Sequence, residues 1–197
     1  YVANTCFALN VDPSGKPVVG YLPVGAPGTY YGKINEGNVS WRVGVDWKPS
    51  PIALLYVNVS RGYKAGSFPT TAASTFSQYT PVKQESVLAY EGGFKARPIP
   101  GILQVNGALY YYKYNDKQLR SKLRDPVFAL LDVVQNIPNS DVKGAELEIN
   151  LTPSRRLSIA AAFTYTDAKI KEFSGINASG VDANFAGAEV PFTPKYQ

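Results

Sequence analysis

Histidine and methionine are absent from this chain of 197 residues, and Cys6 is its only cysteine. Without histidine, the chain lacks the commonest metal ligand and the side chain that most often transfers protons near neutral pH. A single cysteine cannot form a disulfide within the chain, although a partner could lie elsewhere in the protein. The sequence also has no phosphate-binding loop, serine-nucleophile motif or zinc spacing. We therefore expect no enzyme, no cofactor and no metal site.

Long hydrophobic runs are absent too, since no stretch approaches the roughly 18 consecutive apolar residues that a membrane helix needs. Charged residues make up only 18% of the chain, and 14 tyrosines stand against two tryptophans. A tyrosine suits a boundary between lipid and water, because its ring is apolar and its tip is polar. The net charge of +5 is scattered along the chain, which argues against a nucleic-acid partner.

Six segments alternate between apolar and polar residues with the period of two that a β-strand requires. In the first of them, Trp41, Val43, Val45 and Trp47 share one face, and polar or small residues share the other. This alternation predicts an all-β, antiparallel fold. The six segments are 40–47, 55–60, 85–95, 103–112, 143–151 and 157–166.

The connections between these segments alternate in length. Short, proline-containing turns occupy 48–51, 96–101 and 152–155, and long irregular segments occupy 64–83, 118–139 and 167–189. Strands of about 10 residues with tight turns at one end and long loops at the other are typical of an outer-membrane barrel. We therefore predict a partial transmembrane β-barrel of about six to seven strands within one domain. Residues 1–39 form an extracellular loop on this interpretation, and residues 40–197 supply the strands, with the short turns in the periplasm.

The same alternation occurs in soluble β-sandwiches, in which the apolar face packs against a second sheet. A secreted carbohydrate-binding module with tyrosine-rich loops is therefore an alternative, and so is a passive porin or adhesin barrel. Partitioning between detergent and water tests the first alternative, because a barrel needs detergent and a sandwich stays in water. The second alternative is tested by whether the full gene encodes a plug upstream.

The alternation also assigns individual side chains to two environments. The neighbouring acids Glu146 and Glu148 share a face, and we interpret them as wetted lumen residues rather than a catalytic pair. The side chains predicted to face lipid are Trp41, Val43, Leu88, Leu109, Leu147 and Phe163. Those predicted to face the lumen are Arg42, Glu91, Asn106, Glu148 and Thr164.

Several segments resemble TonB-dependent receptors, and they occur in the family's order along most of the chain. Residues 55–68 resemble the family's strand that runs into a loop, and residues 81–95 resemble its strand ending in Glu-x-Gly-x-Lys. The run Val-Lys-Gly-Ala-Glu-Leu-Glu at 142–148 resembles its Gly-x-Glu-x-Glu strand. One departure is Glu85, whose distance from Pro81 differs slightly from the usual pattern. Further resemblances lie at 106–116, 157–169 and 190–197.

This resemblance implies a bacterial outer-membrane barrel of about 22 strands, plugged by a separate N-terminal domain. It implies import of a scarce nutrient, in the first place a ferric siderophore and then a vitamin or sugar. The implied partners are the TonB energy-coupling system, the nutrient ligand and the lipid and lipopolysaccharide of the membrane. No segment here resembles the plug or the part that contacts TonB, so we expect both to lie outside this chain.

One predicted outer loop, between residues 114 and 136, concentrates positive charge. It contains Lys117, Arg120, Lys122 and Arg124. These side chains could be simply solvated, or they could hold lipopolysaccharide phosphates near the membrane surface. The sharper hypothesis is that they capture an anionic nutrient complex, because clustered charge raises encounter rates.

Overall fold

The computed structural model describes residues 33–69, 78, 80–125 and 129–197. Cys6 and most of the predicted loop 1–39 therefore lie outside the described residues, and residues 33–40 have no regular secondary structure. Within the described ranges, no helix is long and apolar enough to cross a membrane.

The fold is a meander in which six antiparallel strands follow one another across a single sheet in chain order. This arrangement confirms the predicted all-β, antiparallel class. A separate two-stranded sheet lies near the carboxyl end of the chain. The six strands are β1 (Trp41–Ser50), β2 (Ala53–Lys64), β3 (Glu85–Ile99), β4 (Leu103–Asp125), β5 (Ala129–Ser154) and β6 (Leu157–Glu172). The small sheet pairs β7 (Ser174–Ile176) with β8 (Asp182–Asn184).

Three tight turns join the strands at one end of the sheet, as the proline pattern predicts. The turns are shorter than expected, because the flanking strands extend into the segments 48–51, 96–101 and 152–155. Gly101 lies in the middle turn with φ of 78°, a conformation that glycine adopts without a steric penalty.

The prediction that residues 118–139 are irregular is wrong over most of that range. β4 continues to Asp125 and β5 begins at Ala129, so the two strands form a hairpin that extends far beyond their neighbours. The physical reason lies in a second run of alternation, in which Leu119, Ser121 and Leu123 separate the charged residues. Cross-strand pairing with apolar residues such as Leu131 stabilises this run as strand.

The prediction for 167–189 is also partly wrong. Its first residues complete β6, which ends at Glu172, and later residues form β7 and β8. The backbone beyond β8 returns alongside β6, where Glu189 and Tyr196 bridge to Lys169 and Tyr165.

The pairing register divides the sheet into an apolar face and a polar face. All side chains predicted to face lipid lie on the first, and all those predicted to face the lumen lie on the second. One row across the apolar face is Trp47, Leu55, Phe94, Gly107, Leu147 and Phe163. The next row on the polar face is Asp46, Tyr56, Gly93, Ala108, Glu146 and Thr164.

The apolar face is exposed along its whole width. Val45 is 64% exposed and Leu109 68%, and in the described part of the chain no second sheet covers them. At about 3.4 Å per residue, the stretch from Leu103 to Tyr111 is roughly 27 Å long. At a strand tilt of about 40°, this length crosses about 21 Å, close to the apolar band of a membrane barrel.

Buried side chains concentrate at the hairpin end of the sheet. Ile137, Ala168, Ile170 and Val190 form the buried cluster, with Phe173 and other partly buried apolar residues packed against it. This cluster therefore joins the extended β4–β5 hairpin to β6 and to the segment that carries β7 and β8.

Candidate functional site

The four cations singled out from the sequence lie on β4, in the part of the hairpin that extends beyond β3. Lys117, Arg120, Lys122 and Arg124 are thus held by a strand rather than by a loop. The extension begins at Asp116, which has φ of 53° and lies opposite Pro138. The pairing register between β4 and β5 is the same before and after Asp116. The pairing at the base of the hairpin therefore also sets the positions of the cations along β4.

Lys117 contacts a carboxylate and an aromatic ring within the sheet. Its Nζ lies 3.7 Å from Oε1 of Glu85 and 3.8 Å from the centroid of the Tyr114 ring. Its side chain is only 18% exposed and that of Glu85 only 11%. The other carboxylate oxygen of Glu85 accepts a hydrogen bond from the backbone N–H of Gln118 at 2.9 Å. Lys117 therefore stabilises the base of the hairpin, and its charge is largely neutralised there.

Lys122 and Arg124 also have partners. Lys122 Nζ lies 2.7 Å from Oδ1 of Asp132, which is its cross-strand neighbour on β5. Arg124 donates a hydrogen bond to the backbone carbonyl of Gly180, in the turn between β7 and β8. The ion pair between Lys122 and Asp132 is exposed, and exposed pairs contribute little to stability.

Arg120 differs from the other three cations. It is exposed, and it has no ion pair or hydrogen bond among the residues that the structure describes. Of the predicted set, Arg120 is therefore the side chain most available to an external anion, with Lys122 and Arg124 supplying positive charge nearby.

Two amides that sequence reasoning missed hold the hairpin against the connection between β2 and β3. Gln118 donates hydrogen bonds to the carbonyls of Ala65 and Lys83, at 2.9 and 3.0 Å. Asn136 accepts from the backbone N–H of Lys83 at 2.8 Å and donates to its carbonyl at 2.9 Å. Only the pairing of Gln118 with Asn136 across the hairpin brings these contacts together, so no sequence motif could have revealed them.

The polar face carries a network of side-chain hydrogen bonds. Glu148 accepts from Asn150 at 2.8 Å and from Asn106 at 3.1 Å. The hydroxyl groups of Tyr110 and Thr166 are 2.8 Å apart. The described residues hold no group of three or more acidic, histidine or cysteine side chains that could bind a metal ion. Glu146 and Glu148 are both exposed on the polar face, the face to which the alternation assigned them.

The sequence matches a family model described as the β-barrel of TonB-dependent receptor-like proteins, over residues 11–197. Two solved structures share the fold. The ferric yersiniabactin uptake receptor FyuA of Yersinia pestis is 18% identical, with a TM-score of 0.58, over 79% of this chain and 21% of that chain. The siderophore receptor PiuA of Acinetobacter baumannii is 18% identical, also with a TM-score of 0.58, over 80% and 22%.

This chain spans about a fifth of the length of either receptor. The antiparallel pairing, the exposed apolar face and the tight turns at one end of the sheet are features of the wall of a β-barrel. The chain therefore belongs to the TonB-dependent receptor family, as part of its β-barrel domain.

Proposed function

We propose that this chain is a section of the wall of an outer-membrane receptor that imports a scarce nutrient, with a ferric siderophore as its cargo. TonB supplies the energy through a plug outside this segment, and lipid and lipopolysaccharide surround the barrel. The observation that carries the proposal is the uninterrupted exposed apolar face of a sheet in this family. Continuous strand pairing suits that location, because unpaired backbone groups are costly in lipid.

Two further observations support the proposal. The structurally similar FyuA is named a ferric yersiniabactin uptake receptor, and PiuA is named a siderophore receptor. The exposed apolar face also lacks a covering sheet in the described ranges, which favours a barrel over a secreted β-sandwich.

Membrane location and energy coupling are tested in the full-length receptor. We expect it to fractionate with the outer membrane, to require detergent for extraction, and to import a radiolabelled ferric siderophore only in cells with TonB. Binding of the siderophore should persist in cells without TonB, because binding precedes energised transport. A receptor that stays in aqueous buffer as a monomer would contradict the membrane proposal, and equal import without TonB would contradict the energy coupling.

We also propose that the end of the β4–β5 hairpin helps to capture an anionic nutrient complex. Arg120 has no ion pair or hydrogen bond among the described residues, and strand pairing holds Lys122 opposite Asp132 and Arg124 opposite Leu130. Charge held in place by a paired hairpin steers an anion without first having to be ordered.

Replacing Arg120, Lys122 and Arg124 with glutamine in the full-length receptor should slow ferric-siderophore association by about tenfold at low salt. The difference should shrink at 0.5 M salt, because screening shortens the range of the charges. Stopped-flow binding over a salt series measures both rates. The matched control replaces Lys48, Arg155 and Arg156, three exposed cations at the turn end. Equal association rates for parent and hairpin variant at low salt would exclude a capture role.

A further inference from the structure

The pairing of β2 with β3 is interrupted close to the connection between the two strands. Regular pairing ends where Lys64 lies opposite Glu85, and it resumes in a single bridge between Ser67 and Val82. The register is the same on both sides of the interruption, but the four intervening residues have no strand structure. We call these four residues, 65–66 and 83–84, the ladder gap. The outer part of the connection is therefore attached to the sheet through the ladder gap.

A carboxylate from the segment before β1 binds the ladder gap. Oε2 of Glu36 accepts a hydrogen bond from the backbone N–H of Gly66, and Oε1 accepts one from the backbone N–H of Gln84, each at 2.8 Å. Asn38 donates a further hydrogen bond to the side chain of Gln84. Hydrogen bonds from N–H groups to a carboxylate are stronger than those to a neutral acceptor. Glu36 thus links the two backbone segments of the ladder gap to each other and to the segment before β1.

Gly66 permits the close approach of this carboxylate. A Cβ atom at position 66 would lie 2.8 Å from Oε1 of Glu36 and 2.6 Å from the carbonyl oxygen of Val82. Both distances are well short of the optimal separation of nonbonded atoms, about 3.5 Å. A larger residue at position 66 would therefore displace the carboxylate or widen the gap. The glycine and the glutamate form one arrangement although they are 30 residues apart in the chain.

The same ladder gap also binds the extended hairpin. The side chains of Gln118 and Asn136 bond to the carbonyls of Ala65 and Lys83 and to the N–H of Lys83. Asn136 also donates a hydrogen bond, at 2.7 Å, to the carbonyl of Asp116, where the hairpin extension begins. Side chains from two distant segments thus bond to three N–H groups and two carbonyls of the ladder gap.

We propose that the ladder gap is a latch that makes three segments open and close as one cooperative unit. The segments are residues 33–40, the β2–β3 connection and the hairpin extension. When Glu36 releases Gly66 and Gln84, the two backbone segments of the gap can separate, and the hydrogen bonds from Gln118 and Asn136 lose their geometry. The latch opens more easily than the strands beside it, because side-chain contacts rather than a continuous ladder hold it closed.

Such a latch transmits order between segments that are far apart in the chain. A molecule that binds and orders one of the three segments also stabilises the other two, because the cost of ordering is then already met. This inference goes beyond the proposed function, since it concerns how the segments move and requires no particular cargo.

Hydrogen exchange of the full-length receptor in detergent micelles tests the latch, by mass spectrometry with fragmentation that resolves single amides. The first variant, Glu36→Gln, keeps the size of the side chain but leaves one acceptor oxygen for two N–H groups. We expect it to speed exchange of the Lys83 and Gln118 amides about tenfold, although these amides donate to Asn136 and Glu85 rather than to Glu36.

The second variant, Gln118→Ala, tests the reverse direction. It removes the side chain that binds the carbonyls of Ala65 and Lys83. We expect it to speed exchange of the Gly66 and Gln84 amides, which donate to Glu36, by a similar factor.

The matched control is Glu146→Gln, which removes an exposed carboxylate from the polar face of β5. It should leave the exchange of all four amides, those of residues 66, 83, 84 and 118, unchanged. In each test variant these four amides should accelerate together, because they exchange through one opening event.

Acceleration that stays with the contacts each variant removes would overturn the proposal, since the contacts would then open independently. Acceleration spread equally over residues 103–112 of β4 would also overturn it, because the whole sheet rather than the latch would have been destabilised. These readouts involve neither siderophore nor TonB, so failure of the latch is distinguishable from failure of the proposed function.

Discussion

Replacing Leu109 with arginine is expected to destabilise the receptor folded in a membrane by about 2–4 kcal/mol. Leu109 lies on β4 in the middle of the apolar face, is 68% exposed, and is paired with Gly92 and Ala145. Those two neighbours offer no acid to compensate a new charge. The cost therefore comes from placing a guanidinium in the hydrocarbon layer. Reversible urea titration of the full-length receptor in lipid vesicles measures it.

The matched control is Asn106→Arg, three residues earlier on the same strand and on the opposite face. Asn106 donates a hydrogen bond to Glu148 at 3.1 Å and pairs with Lys95 on β3. An arginine there can reach the same carboxylate, so we expect less than about 1 kcal/mol of destabilisation. If both variants lose stability equally, the assignment of the two faces is wrong. Single-cysteine labelling of the same positions with a membrane-impermeant reagent provides a second check, since position 106 should face the aqueous lumen and position 109 the lipid.

The second large effect is expected from Glu85→Gln. Removing the charge leaves Lys117 without its acid and weakens the hydrogen bond that Gln118 donates from its backbone. Because the side chains of Glu85 and Lys117 are 11% and 18% exposed, little water can replace the lost interaction. We expect opening of the hairpin base to become easier by about 1–3 kcal/mol.

Hydrogen exchange resolved along β4 and β5 measures this effect, because local opening of the hairpin exposes its amides without unfolding the whole sheet. Protection should fall in the extension beyond Asp116 and remain unchanged in the lower part of β4. The matched control is Lys64→Gln, since Lys64 lies 4.0 Å from the same carboxylate but is 63% exposed. A loss of protection spread evenly over β4 would argue against a local role for Glu85.

A rigid hairpin base also bears on nutrient capture. Gln118 and Asn136 connect the hairpin to the segment between β2 and β3. Glu85 connects it to the start of β3, and Arg124 connects it to the turn after β7. If these contacts hold Arg120 in position, loosening the base should lower siderophore affinity along with hairpin protection. The Glu85→Gln variant thus relates the structural contact to the proposed binding role.

The sequence predicts the structure best where one short-range rule decides it. The alternation in 40–47 and 103–112 placed each side chain on its correct face, because a strand has a period of two whatever it pairs with. The prediction failed at 118–125, a segment expected to be irregular, in which three basic residues alternate with Leu119, Ser121 and Leu123. Pairing of this run with β5, in which Leu123 lies opposite Leu131, makes it a strand.

The candidate site could be located from the sequence but not described. The density of cations pointed to 117–124, whereas their availability depended on partners far along the chain. Glu85 lies 32 residues before Lys117, and Gly180 lies 56 residues after Arg124. No local pattern reports such contacts, because they arise from the order of strands and the register between them.

The sequence by itself determined the strand class, the two faces and the positions of the tight turns, since each follows from periodicity or from proline chemistry within a few residues. Its motifs also identified the family. Only the tertiary structure decided that β4 and β5 form one long hairpin and that Lys117 is neutralised by Glu85. Those features depend on which strands pair and in which register, and pairing register is a property of the assembled sheet rather than of any single segment.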